Sequence, residues 1–277
     1  MIVDIHTHYW SDDDINPSSV SNAETAGGVN PHFHMTSEMH LEETAACDKS
    51  VVFGMRSTGM PVPNDKVKTQ VDLAPERLIF FTSVSPAEKG YMDELERTHK
   101  DMGARGIKLG PIYQGVHPTD ERYRRIYEYA QKHDLPIVIH MATTFAKDFP
   151  LEYARPVHMD TIAVDFPDLK LVLAHLGHPW CGETISIIRR HPNVYADISA
   201  LYYRPWQFYN AMQLLVEYGT WNKALFGSDF PFTKPSESIA GVRNMNHIVA
   251  GSTLPKIPEE VIEGILNRDS LSLLGIE

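Results

Sequence analysis

The chain has 277 residues, of which 43% are hydrophobic and 22% charged, and its formal net charge is −11. A chain of this length and composition can bury one large core, so we expect a single domain over residues 1–277. The acidic balance offers no electrostatic surface for nucleic acid or an anionic membrane, which argues against those partners and favours a small-molecule substrate.

The first ten residues, MIVDIHTHYW, lack the basic start and apolar core of a signal peptide. The two cysteines, Cys47 and Cys181, lie far apart and form no disulfide framework, which suits a reducing compartment. We therefore expect a cytoplasmic protein without a membrane segment.

Eight short runs of β-branched or apolar residues recur along the chain and predict strands. Runs such as PIVIH and LKLVLAH are almost continuously hydrophobic, which is typical of parallel strands buried on both faces. The predicted strands are Ile2–Ile5, Ser50–Gly54, Leu78–Val84, Gly106–Leu109, Pro136–His140, Leu169–Ala174, Asn193–Asp197 and Ala224–Gly227. Helix-like segments separate most of them, and this alternation predicts an α/β fold, a single (β/α)8 barrel.

The segments between the strands predict helices. The clearest is amphipathic and spans Thr119–His133, with Thr119 as its N-cap. The other predicted helices are Ser37–Cys47, Tyr91–Met102, Pro179–His191, Pro205–Tyr218, Ser236–Ala250 and Pro258–Leu266. Ser11–Thr36, after the first strand, is rich in Ser, Asn, Asp and Gly and predicts an extended loop, a candidate lid over the barrel mouth.

Polar residues stand at the carboxyl ends of several predicted strands, where barrel enzymes place catalytic groups. His6 and His8 end the first strand two residues apart, so their side chains point the same way. His140 closes the fifth strand, His175 the sixth, and Asp229 follows the eighth. An unpartnered imidazole or carboxylate in a core costs on the order of several kcal/mol, so metal coordination explains the set better than packing. Such ligands predict catalytic Zn²⁺, with Mn²⁺ or Fe²⁺ as alternatives.

These motifs resemble those of a known family. DIHTH, GIKLGP, IVIHM, LAHLGHP and FGSDFPF, at strands one, four, five, six and eight, are together similar to the amidohydrolase superfamily, particularly its amidohydrolase-2 group of metal-dependent TIM-barrel hydrolases and decarboxylases. The resemblance covers nearly the whole chain and implies that His6, His8, His140 and Asp229 bind a buried metal. For His175 it implies a second metal or a substrate-polarising role. It also raises the expectation of a homodimer.

Lys108 ends the fourth strand, where binuclear members of the superfamily carry a carboxylated lysine. As a carbamate it would bridge two metals, whereas as an ammonium it would repel a second cation and bind a substrate carboxylate. The amidohydrolase-2 group is largely mononuclear, so we favour one metal over two.

The resemblance implies a hydrolase that directs metal-activated water at a small ester, lactone, thioester or amide. Asp229 would take a proton from that water and pass it to the leaving group, and His175 would stabilise the oxyanion. The alternative is a non-oxidative decarboxylase of a carboxylated aromatic or dienoic substrate, in which Asp229 protonates carbon. Two hypotheses of lower weight are a non-haem iron oxygenase and a non-catalytic binding scaffold.

Further candidates for substrate contacts follow the predicted strand ends. His178 either orients His175, touches substrate or caps the next helix. An arginine in such a loop either clamps an anionic group or forms an ordinary surface ion pair. The candidates of this kind, with one tyrosine, are Arg56, Tyr113, Arg155 and Arg204.

Overall fold

The computed structural model describes residues 1–25 and 33–276. Its strand segments are β1 (Val3–His8), β2 (Lys49–Phe53), β3 (Leu78–Phe80), β4 (Thr82–Ser83), β5 (Ile107–Leu109), β6 (Ile137–Ile139), β7 (Leu171–Leu173), β8 (Val194–Asp197) and β9 (Ala224–Leu225). β1 to β3 form one parallel sheet and β4 to β9 another, each strand pairing with its neighbour in sequence. All eight predicted strands are confirmed, the third being divided into β3 and β4 at Phe81.

Backbone hydrogen bonds join the edges of the two sheets. At one seam the N–H of Phe81 donates to the carbonyl of Val52 (3.0 Å). At the other the N–H of His8 donates to the carbonyl of Phe230 (2.8 Å), which connects the segment after β9 to β1. The predicted (β/α)8 barrel is confirmed, and its parallel strands bring their carboxyl ends to one face.

Helices lie between the strands along the chain and follow the last of them. They are α1 (Pro17–Thr25), α2 (Ser37–Thr44), α3 (Asn64–Val71), α4 (Tyr91–Lys100), α5 (Pro111–Gln114), α6 (Glu121–Lys132), α7 (His158–Asp165), α8 (Cys181–Arg190), α9 (Pro205–Glu217), α10 (Pro235–Arg243), α11 (Glu259–Leu266) and α12 (Ser270–Leu274). Each predicted helix is present, although Ser236–Ala250 divides into α10 and a 3-10 turn at Met245–Val249. Within the described ranges, none is long and apolar enough to cross a membrane.

The predicted cap of α6 was wrong by one residue. Asp120, not Thr119, caps the helix, because the Asp120 carboxylate accepts the backbone N–H of Arg122 (2.9 Å). An aspartate at this position satisfies a free backbone donor and also places negative charge at the positive end of the helix dipole.

The segment after β1 was predicted as an extended loop, and α1 corrects this for part of it. Only Ala23 is buried along α1, so the helix carries little of the apolar periodicity by which sequence patterns are recognised. Its start is tied to the loop after β2, since Asn16 donates its side-chain amide to the Thr58 carbonyl (2.6 Å) and its N–H to that of Gly59 (3.1 Å). Residues 26–32 of this segment lie outside the described residues.

Candidate metal centre

His6 and His8 point into the barrel because β1 carries a β-bulge. Between Asp4 and Thr7 the strand advances by three residues while its partner β2 advances by two. One extra residue reverses the alternation of side chains across the sheet. Ile5 therefore faces the apolar barrel interior, and His6, the next residue, also turns inward to pack against a core phenylalanine.

The buried carboxylate of Asp4 holds this bulge in place. It accepts the backbone N–H of His6 (3.1 Å) and that of Ser228 (2.9 Å), which connects the bulge to the segment that carries Asp229. Burial raises the pKa of Asp4 to about 7, an effect that its hydrogen bonds to Ser228 and His6 partly offset. In addition, the N–H of Asp229 donates to the His6 carbonyl (2.8 Å), so the two strand ends are held in a fixed arrangement.

All five predicted imidazole and carboxylate groups meet at the carboxyl face of the barrel. His6, His175 and Asp229 each offer a ligand atom, and these three atoms lie within 4.8 Å of one another. His8 Nε2 lies 3.4 Å from Asp229 Oδ1, and His140 Nδ1 lies 3.1 Å from His175 Nε2. His175 thus belongs to the compact three-residue set. His8 and His140 lie beside this set, since His8 contacts Asp229 and His140 contacts His175.

The donor set fits a divalent cation. Burial lowers the pKa of all four histidines, to about 3 for His140 and well below the ordinary value for the others, so each ring is neutral and has one nitrogen lone pair. Burial raises the pKa of Asp229 well above its ordinary value, against the attraction of Lys108. A cation between these groups would compensate the buried carboxylate and use the converging lone pairs. Nitrogen and carboxylate ligands suit zinc or manganese.

Asp197, which the sequence analysis missed, contacts two members of this set. Its Oδ2 lies 2.9 Å from His6 Nδ1. Its Oδ1 accepts the backbone N–H of His175 (2.9 Å) and the hydroxyl of Ser199, and the Ser199 Oγ lies 2.7 Å from His175 Nδ1. A signal was available, because Asp197 ends the predicted seventh strand just as His140 ends the fifth.

Lys108 lies beside the same histidines, inside the barrel. Its Nζ is 2.9 Å from His6 Nε2 and 4.6 Å from the ring centroid of Phe53. The side chain is fully buried, and burial lowers the pKa of Lys108 to about 8 although Asp229 and Asp197 favour its charged form. The lysine is therefore placed to act on the centre directly.

A cavity of about 300 Å³ opens over these groups. Its polar lining includes Lys108, Asp229, His8, His140 and His175, and its apolar lining includes Trp10 and Phe232. Helix α1 and the loop 57–60 also line it, which fits the predicted lid role of the segment after β1.

Three of the predicted substrate contacts line this cavity, namely Tyr113, His178 and Arg204. The Tyr113 hydroxyl lies 3.3 Å from His140 Nε2. The Arg204 guanidinium stacks over the ring of Tyr203 at 4.3 Å and forms no ion pair with a carboxylate in the part of the chain that the structure describes. Its positive charge therefore remains available to a ligand.

Arg56 and Arg155 form ion pairs, which was the second of the two roles predicted for an arginine near a strand end. The structure does not bring either side chain into the lining of this cavity. Arg56 Nε bonds both carboxylate oxygens of Glu88 (3.0 and 2.9 Å), and Arg155 pairs with Glu183. Both arginines are partly exposed ion pairs, in which the charge already has a partner.

The chain resembles known proteins both in sequence and in fold. Among curated proteins, a dihydroorotase of Helicobacter pylori (strain HPAG1) is 31% identical over 116 residues, which are 39% of this chain and 32% of that protein. The match thus spans about a third of the length of the curated relative.

Solved structures of similar fold cover almost the entire chain. An uncharacterized TIM-barrel protein from Bordetella bronchiseptica superposes with a TM-score of 0.75 at 22% identity, covering 99% of this chain and 98% of that one. A probable 2-pyrone-4,6-dicarboxylic acid hydrolase from Acinetobacter baumannii, with citric acid bound, gives 0.66 at 16% identity and covers 99% of each chain. A dihydroxybenzoic acid decarboxylase from Polaromonas sp. JS666, with bound manganese, gives 0.70 at 14% identity over 99% and 97%.

These structural likenesses show the shared barrel, and both hydrolases and decarboxylases occur among the proteins that have it. The family assignment rests on sequence, because the model of the amidohydrolase family matches residues 3–276. The chain therefore belongs to the amidohydrolase family.

Proposed function

We propose that this protein is a metal-dependent hydrolase of a small carbonyl compound that carries a carboxylate. The observation that carries the proposal is the convergence of His6, His175 and Asp229 within 4.8 Å, beside a cavity that is also lined by Arg204, whose guanidinium has no carboxylate partner among the described residues. One divalent ion, zinc or manganese, is the metal we propose, with His8 and His140 completing its surroundings.

The protein's own groups divide the work of hydrolysis. His6, His175 and Asp229 would hold a divalent cation, which would polarise the substrate carbonyl and lower the pKa of a water molecule. Asp229 accepts the proton of the attacking water and passes it to the leaving atom, for which its position beside both His6 and His8 is suitable. Burial raises the pKa of Tyr113, so its hydroxyl keeps its proton and donates to the developing oxyanion.

Arg204 supplies recognition of the substrate carboxylate. A guanidinium offers two parallel N–H donors to a carboxylate, and its stacking on Tyr203 limits the orientations that it can take. Lys108, at the buried side of the cavity, adds a second positive group toward the reacting carbonyl. We therefore expect anionic substrates to bind better than their esters or amides.

Decarboxylation is the second candidate, and the aromatic lining favours it. Trp10 and Phe232 lie 5.8 Å apart between ring centroids, and Phe145 also lines the cavity. An aromatic acid would stack against such walls. In that reaction the bond from the ring carbon to the carboxylate breaks, its electron pair stays on the ring carbon, CO2 leaves, and Asp229 delivers a proton to that carbon.

One experiment separates the two reactions. The metal-loaded protein is incubated with dihydroorotate, 2-pyrone-4,6-dicarboxylate and a dihydroxybenzoate in H2¹⁸O. Hydrolysis places ¹⁸O in a new carboxylate and releases no CO2, whereas decarboxylation releases CO2 and places a solvent proton on carbon. A wild-type protein that contains no metal under any supplementation, measured by elemental analysis, would contradict both reactions.

The number of metals is measured on the same samples. About one ion per chain agrees with the proposal and leaves Lys108 as a cation. Two ions per chain would instead make Lys108 a carbamate bridge, which mass spectrometry detects as the added mass of CO2.

A further inference from the structure

We propose that Asp197 sets the proton positions of both His6 and His175 and is thereby the positioning residue of the centre. The inference rests on the proposed metal-dependent function, because its consequence is that two imidazole lone pairs face the metal. Asp197 is fully buried at the end of β8. Its carboxylate oxygens bond to His6, His175 and Ser199.

Asp197 determines which nitrogen of His6 carries the proton. Its Oδ2 lies 2.9 Å from His6 Nδ1, and a carboxylate accepts hydrogen bonds without donating them, so the proton belongs on Nδ1. On the other side of the ring, Lys108 Nζ lies 2.9 Å from Nε2. An ammonium donates and has no acceptor, so Nε2 must present its lone pair. Asp229 Oδ1 also lies 3.3 Å from Nε2, but the contacts of Asp197 and Lys108 are the ones that meet hydrogen-bond geometry, and both select the same tautomer.

Through Ser199, Asp197 also places the proton of His175 on Nδ1. The Ser199 hydroxyl donates to Asp197 Oδ1, which uses its only proton. Its oxygen, 2.7 Å from His175 Nδ1, must therefore accept the proton of that nitrogen. The lone pair of His175 is then on Nε2, the atom that faces His140 at 3.1 Å. Hydrogen-bonded partners of this kind are known to fix the orientation and tautomer of metal-binding histidines.

Asp197 also supports the backbone that carries His175. Its Oδ1 accepts the backbone N–H of His175 (2.9 Å) and of Ser199 (3.0 Å). His175 has a φ of 59° and Leu176 a φ of 46°, left-handed values that residues with a side chain rarely adopt. Such residues persist where the surroundings hold them, and the Asp197 carboxylate is one of the groups that do so here.

The test uses an isosteric variant, Asp197→Asn. The two backbone N–H groups select the orientation in which the new carbonyl oxygen replaces Oδ1, so the new amide N–H points at His6 Nδ1. Because that amide donates, nothing then holds the His6 proton on Nδ1, and the ring lies between two donors, the new amide at Nδ1 and Lys108 at Nε2. We expect ¹⁵N NMR of the metal-free proteins to place the His6 proton on Nδ1 in the wild type and to show a substantial fraction of the Nε2 tautomer in the variant.

The metal affinity gives a second readout, measured by competition for Zn²⁺ with a chromophoric chelator. We expect Asp197→Asn to weaken Zn²⁺ binding by about 10- to 100-fold, the effect typical of losing such a partner. Ser199→Ala removes the acceptor for His175 alone, so it should weaken binding less and leave the His6 tautomer unchanged. As a matched control, Asp160→Asn removes a carboxylate that contacts His191 Nε2 (2.8 Å) outside the cavity lining, and should change neither readout.

The inference is overturned if wild-type His6 carries its proton on Nε2, or if Asp197→Asn keeps both the wild-type tautomer and the wild-type affinity. If Asp197→Asn does not fold, as shown by thermal melting, Ser199→Ala decides, since an unchanged His175 tautomer there contradicts the inference. A wild type with the expected tautomers but no affinity for Zn²⁺ or Mn²⁺ would refute the proposed function while supporting the role of Asp197.

Discussion

Replacing Lys108 by methionine should make the metal-free protein more stable and the metal-loaded protein inactive. Methionine keeps the unbranched shape beside Phe53 but removes a fully buried charge. The fold lowers the pKa of Lys108 from 10.5 to about 8, chiefly by burial. At about 1.4 kcal/mol for each tenfold change in a protonation equilibrium, this corresponds to ~3 kcal/mol of lost stability near pH 7.

The stability cost of the buried Lys108 charge depends on pH, because the pKa of this lysine is lower in the folded chain than in the unfolded chain. Between pH 8 and pH 10.5 the unfolded chain holds more protons at this lysine than the folded chain does, so wild-type stability rises with pH across that interval. The cost is fully present below pH 8 and disappears above pH 10.5. The advantage of Lys108→Met should therefore shrink as the solution becomes alkaline.

Thermal melting of the chelator-treated proteins measures this effect. With an unfolding entropy of about 2.1 cal/mol/K per residue, ~3 kcal/mol raises the Tm of this chain by ~5 °C. Lys256→Met, at an exposed lysine, is the matched control and should change stability by no more than about 0.5 kcal/mol. If Lys108→Met melts at or below the wild-type temperature at pH 7, or if its advantage does not decline at pH 10, the reasoning about a costly buried charge is wrong.

Three other predictions concern the centre and its cavity. Asp229→Asn should reduce bound metal and abolish turnover while the circular dichroism spectrum is unchanged; undiminished metal in elemental analysis would contradict its role as a ligand. Gly227→Ala should weaken Zn²⁺ binding, because its Cβ would lie 2.8 Å from His6 Cβ, whereas Gly182→Ala, with nothing within 4 Å, should not. Arg204→Gln should raise KM for a carboxylate substrate about tenfold or more and leave kcat nearly unchanged. Steady-state kinetics that showed a fall in kcat with KM unchanged would contradict this role.

The order of strands and the residues at their ends could be predicted from the sequence. Strands buried on both faces must be hydrophobic along their length, so PIVIH and LKLVLAH are recognisable without a structure. The polar residues that interrupt such runs, His140 and Asp229 among them, stand out for the same reason. The α1 helix was missed because its single buried residue, Ala23, leaves no periodic pattern.

The sequence did not determine which arginines pair with a carboxylate. An arginine near a strand end has the same neighbours in sequence whether or not the fold gives it an acidic partner. Glu88 lies 32 residues from Arg56 and Glu183 lies 28 residues from Arg155, and only the packed barrel brings each pair together. Arg204 follows a strand end in the same way, yet it lines the cavity without an acidic partner among the described residues.

The sequence by itself therefore determined the barrel and the identity of the groups at its carboxyl face, because hydrophobic runs and strand-end positions are local properties of the chain. The tertiary structure decided how those groups meet. The bulge that turns His6 inward depends on the register of β1 against β2. The contact between His6 and Asp197 joins residues 191 positions apart, and such a hydrogen bond follows from closure of the barrel, which no local pattern encodes.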